Sequence, residues 1–228
     1  MTDERVIHAW NANAKPWTDA VREERIASRT LVTNQAVIDA VMSRSPRSVL
    51  DVGCGEGWLL RALAAHGVAG IGVDVVPELV DQARLAGGGD FRIASYEEIS
   101  AGKLDVKVDV AVANFSLIGK DAVNSLIRFV PTLLNSSGSL VVQTLHPMLA
   151  AGDQPYRDGW REGSWAGCGS DFGDPAPWFF RTIGSWLRLL RESAFVLDEI
   201  LEPVNPVTGG PASIIYVASC NHVHTAGS

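Results

Sequence analysis

The stretch VLDVGCGEG, residues 49–57, sets three glycines at every second position directly behind a short apolar run. Val49, Leu50 and Val52 suit a strand, and Gly53, Gly55 and Gly57 leave the backbone bare where the chain must turn. A helical pattern opens at Trp58, so the stretch predicts the first turn of a βα unit. In a doubly wound sheet that turn lies beyond the carboxyl ends of the strands, where ligands bind.

The rest of the chain keeps the same alternation. Apolar positions recur at helical spacing over 18–43, and Ser45-Pro46 stops them. Strand-like runs then alternate with helical ones: Ser48–Val52, helix Trp58–His66, Ala69–Val73, helix Pro77–Ala86, Phe91–Ile93, Val106–Ala113, helix Lys120–Leu134 and Ser139–Leu145. Near-continuous Val, Ile and Leu runs separated by helices predict parallel strands covered on both faces. After a helix near 180–193, Phe195–Leu201 and Ser213–Ser219 have no helix between them, which predicts an antiparallel pair at the sheet edge. The expected fold is a Rossmann-like, doubly wound, seven-stranded, mostly parallel sheet with an antiparallel edge strand and helices on both faces. One domain over 1–228 is expected, with a helical N-terminal segment at 1–45. Residues 146–180 break the pattern and hold seven of the chain's 17 aromatics, which reads as a loop or lid.

Composition narrows the function. Twenty-six acids against 19 bases give a net charge of −7, with no basic run, so nucleic acid is not expected as a partner. Cys54, Cys168 and Cys220 are far apart and odd in number, which indicates neither a disulfide framework nor a metal site. The opening MTDERVIHAW carries no leader-type apolar stretch, and no run approaches the length of a membrane span. The expected setting is cytoplasmic, without membrane attachment.

The glycine spacing discriminates among ligands. A dinucleotide turn reads G-x-G-x-x-G, and a P-loop needs G-K-[ST]; here the pattern is G-x-G-x-G followed by a bulky Trp. Asp51, two residues ahead of Gly53, would repel a pyrophosphate but suits an amine or a sulfonium. Asp74 falls at the end of the neighbouring strand, where a carboxylate accepts both hydroxyls of a ribose. A nucleoside without phosphates and with a positive centre satisfies these features. Capping of the following helix is the plainer role for Asp51, and a turn residue that for Asp74.

VLDVGCGEG followed by GVDVVPELV, with the later strand VDVAVANF, resembles the class I S-adenosylmethionine-dependent methyltransferases, chiefly over residues 28–145. The resemblance implies S-adenosylmethionine as cofactor and S-adenosylhomocysteine as product. It implies that Gly53, Cys54, Gly55, Glu56 and Gly57 line the methionine part, that Asp74 holds the ribose and that Val75 packs near the adenine. Family members commonly place an Asp after the third strand for the adenine amine. Ser95-Tyr96 stands there in this chain, which weakens that contact or hands it to Ser95 and the backbone. Asn114, Phe115 and Ser116 would face the methionine and the reacting methyl.

The Trp-rich opening with Trp10 and Trp17, and a Ser-Arg pair before the first strand, are similar to small-molecule members of the family. That likeness implies that Arg29 binds the cofactor carboxylate. A solvated helix charge is the plainer role for Arg29, and helix packing that for the two tryptophans.

The implied reaction is an in-line displacement at carbon that depends on alignment of the reactants, with a base needed only for a protonated nucleophile. His146, at the end of the fifth strand, is the candidate base; its alternative is a structural histidine bonded to the loop. Tyr156, Trp160, Trp165 and Trp178 would wall a small, aromatic or lipophilic acceptor or hold an amine. Alternatively, that segment packs on itself or on the second subunit of a homodimer. Arg181 is expected in solvent, and His222 and His224 in a polar tail. The [DN]-P-P-[FYW] motif of nitrogen-directed relatives is absent at Asn114-Phe115-Ser116-Leu117, which disfavours nucleic-acid and release-factor substrates. The acceptor atom, oxygen or nitrogen, is left open. An NAD-dependent oxidoreductase and a non-catalytic S-adenosylmethionine-binding module are the competing functions.

Overall fold

A computed structural model describes residues 2–221; His222 and His224 lie outside them. Seven strands form the main sheet: β1 (Ser48–Val52), β2 (Ala69–Asp74), β3 (Asp90–Ile93), β4 (Val108–Asn114), β5 (Leu134–Thr144), β8 (Phe195–Leu201) and β9 (Ile214–Cys220). Their order is β3-β2-β1-β4-β5-β9-β8. The pairs from β3 to β5 are parallel, and β9 runs antiparallel to both β5 and β8. The antiparallel pair at the edge is as expected; the reversed strand is β9, with β8 outermost.

Both faces are covered because successive residues of the buried strands point to opposite sides. Leu50 and Val52 join a cluster with Leu126, Ile127, Trp186 and Tyr216. Val49 joins the opposite cluster with Val37, Val41, Leu59 and Leu60. Helices α3 (Asn34–Met42), α4 (Trp58–Ala64) and α5 (Pro77–Ala86) supply the second face, and α6 (Tyr96–Ser100), α7 (Asp121–Phe129) and α9 (Ile183–Glu192) supply the first.

Two long helices expected from sequence are broken. The segment 18–43 divides into the end of α2 (Ala14–Arg22), a π-helical turn at Arg29–Thr33 and α3. The chain reverses between them with Glu24 at φ +56°. The helix expected to reach Leu134 stops at Phe129, because Pro131 has no N–H to continue it and a 3₁₀ turn follows. A further helix, α1 (Asp3–Ala12), precedes α2, and the 146–180 segment is partly ordered by α8 (Pro147–Ala150) and a hairpin of β6 (Gly159–Arg161) with β7 (Trp178–Phe180).

Strand order reverses between β1 and β4, so the loops after these two strands flank one crevice. Gly57 shapes the first of them. It precedes α4 at φ +83°, and a Cβ there would lie 2.7 Å from Phe91 Cζ. Gly57→Ala is therefore expected to destabilise the chain by on the order of 1–3 kcal/mol in urea unfolding. An unchanged midpoint would show that the turn relaxes freely.

Candidate functional site

The crevice contains two adjoining cavities. The smaller, about 120 Å³, is lined by Asp74, Val75, Val76, Leu79, Ser95 and Tyr96 with residues of α1. The larger, about 500 Å³, reaches under the 146–180 segment. Trp10, Trp17, Gly53, Gly55, Asn114, Phe115 and Ile118 border both.

Asp74 ends β2 and holds the crevice in shape. Its carboxylate accepts the N–H of Gly55 and of Val76, both at 2.9 Å. A carboxylate offers about four lone-pair sites, so acceptor capacity remains. Burial raises its pKa, against the lowering effect of those backbone donors. Among the glycines, Gly55 fronts open space: a Cβ there would meet only Trp17 Nε1, at 3.6 Å. Gly53 is bare for a different reason, since its Cβ position is taken by the Ser116 side chain. Tyr96 donates its hydroxyl to the Ser116 carbonyl at 3.1 Å, and Ser95 caps α6 in a reciprocal box with Glu98.

At the end of β4, Asn114 Oδ1 is buried without a partner among the described residues. Phe115 beside it adopts φ +54°, a strained conformation for an aromatic residue and one that clusters at functional sites. Arg29 reaches the same region from the π-helical turn. Its guanidinium lies 4.8 Å from the Trp58 ring and 5.5 Å from the Trp17 ring. Nε donates to Asn34, whereas Nη2 is buried with no partner among the described residues. Burial lowers its pKa to about 10 despite the nearby acids Glu56 and Asp51.

Covers close the crevice from both ends of the chain. Asp3 accepts the N–H groups of Lys120 and Ala122 at 2.8 and 2.9 Å, capping α7 from α1. Asn13 is fully buried and bonds to Gly173 and Asp174 of the 146–180 segment. Trp10 contacts Trp17 and Trp165 edge-on at 5.1 and 5.3 Å. The two tryptophans of the N-terminal helices thus form the partition between the cavities.

A family model described as "Methyltransferase domain" matches residues 24–199. The chain belongs to this family. Its fold is that of the class I S-adenosylmethionine-dependent methyltransferases. A ubiquinone biosynthesis O-methyltransferase of Xylella fastidiosa is 34% identical over 126 residues, 52% of this chain and 51% of that one. Its counterpart in Xanthomonas oryzae pv. oryzae is 30% identical over 145 residues, 61% of this chain and 60% of that one. The chain thus spans about half to three fifths of the length of these curated relatives. Magnesium protoporphyrin IX methyltransferase of Synechocystis PCC 6803, solved with bound S-adenosylhomocysteine, superposes with a TM-score of 0.67 at 17% identity, over 96% of this chain and 100% of that one. The 1,6-didemethyltoxoflavin-N1-methyltransferase of Burkholderia thailandensis gives 0.62 at 20%, over 90% and 84%. Identities this low show the fold alone.

Within this fold, several candidates sit where sequence reasoning did not put them. Glu56 and Gly57 line neither cavity. The buried Glu56 carboxylate pairs with Arg61 at 2.6 Å and Arg22 at 3.1 Å, tying α2 to α4. His146 is also off both linings, and its ring turns to Glu202: Nε2 lies 2.6 Å from Glu202 Oε1, and Nδ1 is buried without a partner among the described residues. Arg181 is not in solvent. It is 4% exposed, lines the larger cavity and stacks on Phe179 and Trp186. Burial lowers its pKa to about 10. Asp3 and Asn13 were missed; each lies near a Trp-rich opening but only the fold reveals its long-range partner.

Asp51 is 2% exposed behind the glycine turn, and its Oδ1 has no partner among the described residues. Burial first, then Asp74, raises its pKa from 3.8 to about 8. Between those values the folded chain keeps a proton that the unfolded chain has released, so Asp51 erodes stability as pH rises through that window. Asp51→Asn removes this effect. Its melting temperature relative to the unsubstituted protein is expected to climb from about pH 5 to about pH 8, and a constant difference would contradict the assignment.

Proposed function

We propose that this chain transfers the methyl group of S-adenosylmethionine to a small-molecule acceptor bound in the larger cavity. The observation that carries the reading is the division of one crevice into two cavities. A carboxylate with spare acceptor capacity serves the smaller one, and an unpartnered guanidinium nitrogen serves the larger. In this reading Asp74 accepts the ribose hydroxyls, while Val75, Val76 and Leu79 enclose the adenine with Ser95 and Tyr96. Gly53, Gly55, Asn114, Phe115 and Ser116 surround the methionine chain, and Arg29 pairs with its carboxylate. The cofactor contributes a methyl group on a sulfonium, which needs no metal-like activation from the protein.

The work left to the chain is alignment and exclusion of water, worth roughly 7–11 kcal/mol of barrier in well-oriented reactions. Trp10 and Trp17 keep the nucleoside and acceptor cavities separate except along the glycine and β4 loops. The N-terminal helices and the 146–180 segment act as covers of one domain. The curated O-methyltransferases and the toxoflavin-type N-methyltransferase support a small-molecule acceptor. Three free thiols, Cys54, Cys168 and Cys220, support a reducing, cytoplasmic setting.

Two substitutions separate the ends of the cofactor. Asp74→Ala is expected to weaken S-adenosylhomocysteine and adenosine alike, by roughly 10–100-fold in calorimetric titration. Arg29→Gln is expected to weaken S-adenosylhomocysteine roughly tenfold and leave adenosine, which has no carboxylate, unchanged. Equal loss of both ligands on Arg29→Gln would overturn its assignment.

A further inference from the structure

Arg181 lies between β7 and α9, is nearly fully buried and borders the larger cavity. A guanidinium has five N–H donors. Nη1 donates to the Gly119 carbonyl and Nη2 to Lys120 O and Asn124 Oδ1, at 2.9, 2.9 and 3.1 Å. Every one of these partners is a neutral oxygen, and the Nε–H and one Nη1–H have none among the described residues. No carboxylate lies within ion-pair distance among the described residues; three acids act on Arg181 from further off, Asp158, engaged by the Thr182 N–H at 2.9 Å, Asp3, engaged by the N–H groups of Lys120 and Ala122, and Asp121. Phe179 and Trp186 lie 4.9 and 5.1 Å from the guanidinium carbon. Neutral oxygens satisfy donors but leave a buried positive charge uncompensated, which is costly unless an anion completes it.

We propose that Arg181 is a specificity-determining residue that receives the anionic group of a planar aromatic acceptor, whose ring lies among the aromatic side chains of the lid. The inference rests on the methyltransferase reading above and names its acceptor class. The second cation on the same cavity, Arg29, is assigned to the cofactor carboxylate, which leaves Arg181 for the acceptor. Glu162 also borders the cavity but is exposed, so its charge is solvated and it does not neutralise Arg181. Arg161 provides an internal comparison. It is equally buried and stacks on Phe180, yet it does not line the cavity.

The test is calorimetric titration of the full chain, saturated with S-adenosylhomocysteine, with 1-naphthoate, 1-naphthamide and 1-naphthylmethylammonium. The protein is expected to bind the carboxylate at least about tenfold more tightly than either of the others. Arg181→Gln is expected to bring the three within about threefold of one another while still binding S-adenosylhomocysteine. Arg161→Gln is expected to keep the preference. Equal or tighter binding of the amide or ammonium, binding of none of the three, or a preference that survives Arg181→Gln would overturn the proposal. So would loss of the preference in both arginine variants, which would assign it to the packing of the lid. Failure of S-adenosylhomocysteine itself to bind would instead overturn the cofactor reading on which the proposal rests.

Discussion

The crevice depends on one carboxylate. Asp74, at the end of β2, accepts backbone N–H groups from Gly55 and Val76 and so fixes the turn after β1 against the turn after β2. Both turns are then held open toward the same space, with Gly55 bare on the ligand side. Asp74 is buried and still has acceptor capacity, which makes the structural anchor and the candidate ribose ligand the same group. Loss of its charge would act on both the shape of the site and its affinity.

Around that anchor, contacts far apart in sequence close the site. Asp3 caps α7 from the opposite end of the chain, Asn13 bonds into the 146–180 segment, and the Glu56 ion pairs hold α2 against α4. These bonds place Trp10 and Trp17 on the partition between the two cavities. The covers are therefore more than loops laid over a finished site; they supply its dividing wall. Two positive charges border the larger cavity, Arg29 and Arg181, each with a donor unused among the described residues.

The fold was legible because parallel strands buried on both faces read as continuous apolar runs, and because three alternating glycines after an acid are a rare arrangement. Asp74 could be placed at the end of the neighbouring strand from spacing, whereas the roles expected of Gly55 and the β4 loop came from the resemblance to the methyltransferase family. Direction of a side chain was not legible. His146 stands beside the cavity by position, yet its ring turns to Glu202, a residue 56 positions away. Arg181 looked like a surface charge at a helix start, because only the fold brings the Gly119 and Lys120 carbonyls to it. Gly57 and Glu56 belong to the motif in sequence but serve packing against Phe91 and an ion-pair cluster. Such outcomes are decided by long-range partners, to which local spacing is blind.

The most direct test is the electron density of a crystal grown with S-adenosylhomocysteine. The account predicts the ribose hydroxyls on Asp74, the adenine against Val75 and Val76, and the amino-acid carboxylate on Arg29, with the sulfur at the wall shared by Gly55 and Asn114. Density for the nucleoside in the larger cavity, or a carboxylate remote from Arg29, would contradict it.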